Sequence, residues 1–147
     1  MSGIINSAGS RSGIIGTTEL EIEEGVWEAT LSGASAPPDS EIKETGQYYR
    51  KQGKRVSIRF QFANVDTTGA SGGMKVTGLP FASLGTNFDG NFQGYGLDFD
   101  PDHIISMRIE DSTVWWTLTR DQTTWGTLQI FENNSTYLYG SMTYDIA

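Results

Sequence analysis

The residues that could support catalysis are few in this sequence. It contains one histidine, His103, and no cysteine, which excludes a cysteine nucleophile, a thiolate metal site and a disulfide. Triad chemistry needs a nucleophile, a base and an orienting group in contact, whereas a histidine that follows Pro101-Asp102 is typical of a solvated turn. Asp and Glu are plentiful, and a suitably spaced pair can hydrolyse a glycoside, but no spacing singles out such a pair. We therefore expect no enzymatic activity and no cofactor.

One acidic segment has oxygen ligands at alternate positions, as calcium-binding loops do. Asp98, Asp100 and Asp102 match the opening of an EF-hand loop. The glycine of its sharp turn is replaced by His103, and its twelfth position is Ile109 rather than a bidentate glutamate. The segment is not an EF-hand, and its three aspartates are weak metal candidates in an acidic loop.

Aromatic side chains at outward positions of predicted strands are the better binding candidates. Strand parity places Trp115, Tyr137 and Tyr139 opposite the apolar residues that we assign to the core. Such amphipathic rings can stack on a sugar or anchor a protein interface. We predict that these three residues contact a cell-surface glycan or protein. The alternative is that a neighbouring subunit covers this face and the rings serve packing alone.

The elements that position these side chains are predicted to be β-strands. The clearest is residues 55–65, where Val56, Ile58, Phe60 and Phe62 alternate with polar residues, so that one face stays dry. Residues 46–65 are predicted to form a hairpin whose second strand is central to a sheet. The other predicted strands are 17–24 (ended by Gly25), 26–31, 74–77, one near 94–99, a hairpin of 105–109 with 114–118, and a hairpin of 124–131 with 136–146.

About nine or ten short strands with regular turns and no convincing helix favour an all-β fold. We predict an antiparallel β-sandwich of jelly-roll type over residues 17–147. The predicted core consists of Trp27, Val56, Ile58, Phe60, Phe62, Ile105, Met107, Ile109, Val114, Trp116 and Leu118.

Residues 1–16 are rich in Gly and Ser but contain the same Ser-Gly-Ile-Ile sequence twice, at 2–5 and 12–15. Linkers are usually polar throughout, so we predict an extended arm that packs on a neighbouring subunit. The residues that would be buried there are Ile4, Ile5, Ile14 and Ile15. The alternative is a disordered terminus.

Charge and hydropathy exclude two classes of partner. With 10 basic and 18 acidic residues the chain has a net charge of −8, which disfavours nucleic acid because its phosphates would be repelled. No apolar run approaches the roughly 20 residues that span a bilayer. We expect neither nucleic-acid binding nor membrane insertion.

Several segments of residues 1–81 occur in the order found in a known family. They are residues 3–16, the Glu-Gly-Val-Trp of 24–27, the Tyr-Arg-Lys-Gln-Gly of 49–53 and the Gly-Leu-Pro-Phe of 78–81. The chain thereby resembles tail-fibre and related virion structural proteins of marine bacteriophages, including those known only from ocean sequence surveys. It departs from the family where Glu28-Ala29 replace the usual Thr-Pro and where Gln52 replaces an apolar residue.

The resemblance implies a β-rich module that trimerises, is located in the virion and carries no catalytic residues. Fibres repeat subunits around an axis, so each chain must offer apolar surface to a copy of itself. The expectation is a non-enzymatic, tail-fibre-like homotrimer that contacts a host receptor. The alternative is a monomeric carbohydrate-binding module of a secreted or cell-surface protein. A glycosidase would require turnover that is abolished by removing one carboxylate.

Overall fold

The computed structural model describes residues 21–86, 90–95, 104–120, 124–128 and 136–147. These ranges contain nine strands with antiparallel pairing and no helix that is long and apolar enough to cross a membrane. The all-β, antiparallel prediction is confirmed. The strands are β1 (Ile22–Gly33), β2 (Ile42–Gln52), β3 (Arg55–Val65), β4 (Met74–Thr77), β5 (Gly90–Tyr95), β6 (Ile104–Glu110), β7 (Thr113–Arg120), β8 (Thr124–Thr127) and β9 (Thr136–Asp145).

Eight strands form one hydrogen-bonded path in the order β5-β9-β3-β2-β1-β4-β7-β6. All of β6 is paired with one edge of β7. The other edge of β7 is shared by β4 and β8. The sheet curls until Cα atoms of its two end strands, β5 and β6, come within 8 Å of each other. The described strands therefore form one nearly closed sheet around a core, and the jelly-roll connectivity is not confirmed.

The inner face of the sheet holds the core, and β3 shows the predicted alternation. Val56, Ile58, Phe60 and Phe62 are at most 3% exposed, while the residues between them are exposed. Most of the predicted core is confirmed as buried: Trp27, Met107, Ile109, Val114 and Trp116 join these four residues.

Two predicted core residues differ from the rest. Ile105 is only partly buried, although Met107 and Ile109 on the same strand are at most 1% exposed. The side chain of Leu118 lies outside the described part of the structure.

The predicted break at Gly25 is wrong, because β1 runs through this residue to Gly33. Gly25 faces Tyr49 on β2, and a Cβ at this position would lie 2.7 Å from atoms of the tyrosine ring. The glycine therefore makes room for a neighbouring ring and does not mark a turn. Residues 17–20 of the predicted first strand lie outside the described ranges.

The predicted hairpin of 124–131 with 136–146 is also wrong. β8 pairs with β7, whereas β9 lies between β3 and β5. The inward residues of β9, Leu138 and Met142, extend the apolar row of β3, where they face Phe62 and Ile58. This burial across strands determines the neighbours of β9, and the turn-forming composition of 132–135 does not.

The strand predicted near 94–99 is shifted toward the N-terminus, since β5 is Gly90–Tyr95. Its position follows from Phe92, whose ring packs on Trp116 with 5.7 Å between ring centroids. Residues 96–99 lie outside the described ranges.

Candidate functional site

Two adjoining concave surfaces, of about 400 and 720 Å³, lie on β5, β9, β3 and β2. They share Tyr48, Arg59, Asn91 and Ser141, so together they form one groove. Ligand sites commonly have volumes of about 300–1,000 Å³. We call this surface the outer groove, defined by the outward side chains of Tyr48, Arg59, Gln61, Asn91, Gln93, Tyr139 and Ser141.

Strand register arranges these side chains in two rows across three strands. One row is Gln61, Tyr139 and Gln93. The next, two residues along each strand, is Arg59, Ser141 and Asn91. Neighbouring strands lie about 4.8 Å apart, so each row is about 10 Å long. The groove thus presents amide, hydroxyl, guanidinium and phenol groups over the width of a small ligand.

Directly beneath the outer groove lies a cluster of packed aromatic rings. Phe60 is 3% exposed, and its ring centroid lies 6.3 Å from Trp27, 6.1 Å from Phe62 and 5.8 Å from Trp116. Gly140, opposite Phe60 on β9, lets the ring lie against the strand, because a Cβ there would collide with it. The floor of the groove is therefore rigid.

The groove extends into a gap between β2 and β3. Their ladder ends at the pair Tyr49 and Ile58, although both strands continue. Beyond that point, Gln47 Oε1 accepts a hydrogen bond from the Gln61 N–H (2.8 Å), and Trp27 Nε1 donates to the Arg59 carbonyl (3.3 Å). Two side chains thus replace ladder hydrogen bonds, so these β3 groups keep partners while the strands separate.

A β-bulge lies in the part of β2 that is no longer paired with β3. Between the pairs Trp27–Gln47 and Ala29–Glu44, β2 contains one residue more than β1. Gly46, in this bulge, has a φ of +77°, a left-handed conformation that glycine adopts without steric cost. Gly46, Gln47 and Tyr48, between the bulge and the end of the ladder, line the groove.

The arginines on this face differ in their charge partners. Arg50 pairs with Glu24 (Nε to Oε1, 3.5 Å), and the Tyr48 hydroxyl also hydrogen-bonds Glu24, which raises the pKa of Tyr48. Arg59 has no ion pair with a carboxylate in the described part of the chain. Neither concave surface is lined by an Asp or a Glu. Among the described residues, Arg59 is therefore a groove cation without a carboxylate ion-pair partner, in a chain of net charge −8.

A second polar cluster holds the paired part of β1 and β2 together. Glu23 accepts hydrogen bonds from the Tyr49 hydroxyl (2.9 Å) and from Lys51 Nζ (3.2 Å), and these bonds hold the pKa of Glu23 below its usual value. Lys51 also lies 5.4 Å from the centroid of the Phe81 ring. Tyr49 and Lys51 both bond Glu23 across the two strands, so this cluster is structural.

The predicted aromatic binding residues occupy two separate regions. Tyr139 is 39% exposed in the outer groove, and Tyr137, half-buried on the same strand, packs edge-on against Tyr95 at 6.1 Å. Trp115 is half-buried on β7, where it faces Lys75 and Arg108 across the strands. The structure thus places Tyr137 and Tyr139 together and Trp115 on a different part of the sheet.

Sequence reasoning missed most of the outer groove. Parity already placed Arg59 and Gln61 on the outward side of 55–65, but nothing in the sequence paired them with Tyr139. Tyr48 is outward in the regular part of the β1–β2 register, opposite Val26, and lies in the groove because the ladder between β2 and β3 ends beside it. The contributions of Asn91 and Gln93 depend on the pairing of β5 with β9.

The remaining predicted site residues lie outside the described ranges: Ile4, Ile5, Ile14 and Ile15 of the arm, Asp98, Asp100 and Asp102 of the acidic segment, and His103. Within those ranges, no group of three or more His, Asp or Glu residues is arranged to hold a metal ion. No family model and no curated protein matches this chain.

Proposed function

We propose that this chain is a non-enzymatic, tail-fibre-like module of a bacteriophage virion, which assembles as a homotrimer and contacts a host-surface glycan. The observation that carries the proposal is the outer groove. Its exposed tyrosine offers a flat face to a sugar ring, and the amides on either side of Tyr139 can exchange hydrogen bonds with hydroxyl groups. Because these side chains project from paired strands over a packed floor, little ordering is needed when a ligand binds.

The virion location and the trimer are supported by the family resemblance and by outward apolar side chains. Ile22 and Val26 are 50% and 68% exposed on β1. Both lie on the outer face, where Val26 is paired with Tyr48. Apolar surface of this kind suits contact with another copy of the chain.

Two described carboxylates accept hydrogen bonds that favour their ionised form. The Tyr49 hydroxyl lowers the pKa of Glu23, and Thr68 lowers the pKa of Asp66. A general acid at neutral pH requires a raised pKa, so neither of these two residues suits that role.

The proposed recognition is tested with an array of bacterial envelope polysaccharides. Tyr139→Ala should weaken binding about tenfold, because the sugar would no longer stack on the ring; this factor corresponds to about 1.4 kcal/mol of binding free energy. Tyr95→Ala is the matched control, because Tyr95 is more exposed, at 73%, and does not line the groove. Equal binding by the two variants would contradict a role for the groove.

Assembly is tested by light scattering, which should give three times the chain mass of 16.1 kDa. Deletion of residues 1–16 should weaken association at low micromolar concentration, because the burial of each of the four isoleucines contributes about 1.5–3 kcal/mol. Trp115→Ala separates the roles of the aromatics. Dissociation would make Trp115 an interface anchor, whereas loss of glycan binding with an intact oligomer would make it a ligand-binding residue.

The outer groove also favours the second candidate function, a carbohydrate-binding module of a secreted or cell-surface protein. That function predicts the same response to Tyr139→Ala in a protein that is monomeric. A monomeric mass with retained glycan binding would therefore replace the virion proposal with this one.

A further inference from the structure

We propose that the outer groove selects an anionic saccharide, carboxylated or sulfated, and that Arg59 is the residue that recognises its charge. The inference rests on the proposed glycan-binding function, because it names the chemical class of the glycan. It is carried by the distribution of charge around Arg59.

Among the described residues, no carboxylate lines the groove, although the chain as a whole is acidic. The sequence has 18 acidic and 10 basic residues, yet the charged residues that line the two concave surfaces are Arg50 and Arg59. A surface whose lining carries only positive charge attracts anions and disfavours binding of cations.

Three arginines on this face of the sheet can be compared directly. Arg50 is paired with Glu24 at 3.5 Å, and Arg55 with Asp145 at 3.8 Å. Arg59, on the same strand and face as Arg55, has no carboxylate partner among the described residues. A guanidinium group presents parallel N–H donors that match carboxylate and sulfate oxygens, so Arg59 is the group that an incoming anion can satisfy.

The position of Arg59 suits a charged sugar rather than an isolated anion. Its row of the groove, with Ser141 and Asn91, lies two residues from the row of Gln61, Tyr139 and Gln93. Two residues along a strand correspond to about 7 Å. A sugar ring stacked on Tyr139 therefore has its acidic substituent, or that of the next ring, within reach of Arg59, while the flanking amides meet its hydroxyl groups.

The test uses two matched pairs of probes at physiological salt. Oligogalacturonate and its methyl ester differ only in the carboxylate charge, and dextran sulfate and dextran differ only in sulfation. We expect the anionic member of at least one pair to bind about tenfold or more tightly than its neutral counterpart. The pair that shows the preference identifies the anion as carboxylate or sulfate.

Variants then assign the preference to Arg59. Arg59→Gln should abolish the preference, so that the anionic probe binds no more tightly than the neutral one. Arg55→Gln is the matched control, since it removes the same charge from the same strand and face outside the groove lining. It should retain the preference. Unchanged thermal unfolding of both variants shows that neither result reflects impaired folding.

Three outcomes would overturn the inference. They are equal binding of the charged and neutral members of both pairs, binding of none of the four probes, and an equal loss in Arg55→Gln and Arg59→Gln, which would indicate bulk charge. In each case, the binding of Tyr139→Ala to envelope polysaccharides remains a separate test of whether the groove recognises glycans. The anion preference can therefore fail while the proposed function stands.

Discussion

The hairpins β2–β3 and β6–β7 lie in the same sheet but differ in how far their strands stay paired. β6 is paired with β7 along all seven of its residues, and the turn residues Asp111 and Ser112 have positive φ angles of 49° and 57°, as in a type I′ turn. β2 and β3 have 11 residues each, yet they pair only from the turn to Tyr49 and Ile58. The interrupted hairpin is the one that carries the groove.

The difference shows how a sheet can form a concave surface without a long loop. An interrupted ladder leaves backbone groups without partners, which is costly unless other groups replace the missing strand pairing. In β2–β3 the replacements are Gln47 and the Trp27 indole, which bond β3 where β2 has moved away. The uninterrupted β6–β7 hairpin contributes Trp116, and Phe60 of the β2–β3 hairpin packs on it.

Removing the ring that joins the two hairpins should have the largest effect. Phe60→Ala is expected to lower the free energy of unfolding by about 3–5 kcal/mol, because the ring is buried among aromatic neighbours and leaves a cavity. Chemical denaturation measures the loss. Arg59→Gln, the outward neighbour on the same strand, should change stability by less than about 0.5 kcal/mol. Equal stability of both variants would contradict the assigned inner and outer faces of β3.

Replacing the glycine of the β-bulge should have a smaller effect, confined to the β2–β3 hairpin. Gly46→Ala is expected to cost about 1–2 kcal/mol, because an L residue is disfavoured at a φ of +77°. Nothing lies within 4 Å of the added Cβ, so the loss reflects the backbone alone. The same change should weaken glycan binding, since Gly46 and Gln47 both line the groove.

The β6–β7 hairpin provides the opposite substitution as a control, in which glycine replaces another residue at a positive φ. Asp111→Gly relieves a positive φ in the tight turn and is expected to raise stability by about 0.5–1 kcal/mol without affecting binding. Chemical denaturation and glycan titration of Gly46→Ala and Asp111→Gly test these opposite expectations. A loss of binding in Asp111→Gly would show that the two hairpins are not independent.

Removing one bridge across the gap should produce a smaller loss. Gln47→Ala takes away the acceptor of the Gln61 N–H, and a single hydrogen bond near the surface contributes about 0.5–1 kcal/mol. Hydrogen exchange of the Gln61 amide should accelerate. Gln47→Glu keeps an acceptor oxygen and should preserve protection. Unchanged exchange in the alanine variant would mean that water replaces the side chain fully.

Removing the carboxylate that bonds the paired part of β2 should have the smallest effect on stability, and this effect should be visible only at acidic pH. The pKa of Glu23 is lowered from 4.5 in the folded state, so its contribution to stability is present above that pH and is lost as pH falls through the folded-state pKa. Glu23→Gln should therefore reduce the acid dependence of the denaturation midpoint. The dependence should not vanish, because the pKa of Asp66 is lowered as well. A steeper acid dependence in the variant would contradict the assigned hydrogen bonds with Tyr49 and Lys51.

Alternation in the sequence was sufficient to predict the strands whose two faces differ most. β3, β4 and the β6–β7 hairpin are found where they were predicted, because their apolar residues recur at every second position and are buried on one face. Alternation does not identify the neighbour of a strand. The insertion of β9 between β3 and β5 depends on packing between distant residues, such as Phe60 with Gly140.

The candidate site was predictable only in part for the same reason. Tyr139 follows from its position beside buried Leu138, so a one-strand pattern places it outward. Arg59 and Gln61 are outward by the same rule, but polar residues at outward positions occur along every strand. What distinguishes Arg59 is the lack of an ion pair with any described carboxylate, which is a property of the assembled sheet.

The position of β9 between β3 and β5 also constrains the order in which the sheet can form during synthesis. Both neighbours precede β9 in the sequence, so during synthesis they emerge from the ribosome before the strand that joins them. Until β9 arrives, β3 and β5 each have an unpaired edge, the kind of surface on which nascent chains associate wrongly. Sheets built on such long-range pairing fold slowly, in milliseconds to seconds. The outer groove is thus among the last parts of the molecule to form, and a ribosome that stalls before residue 136 leaves a chain without it.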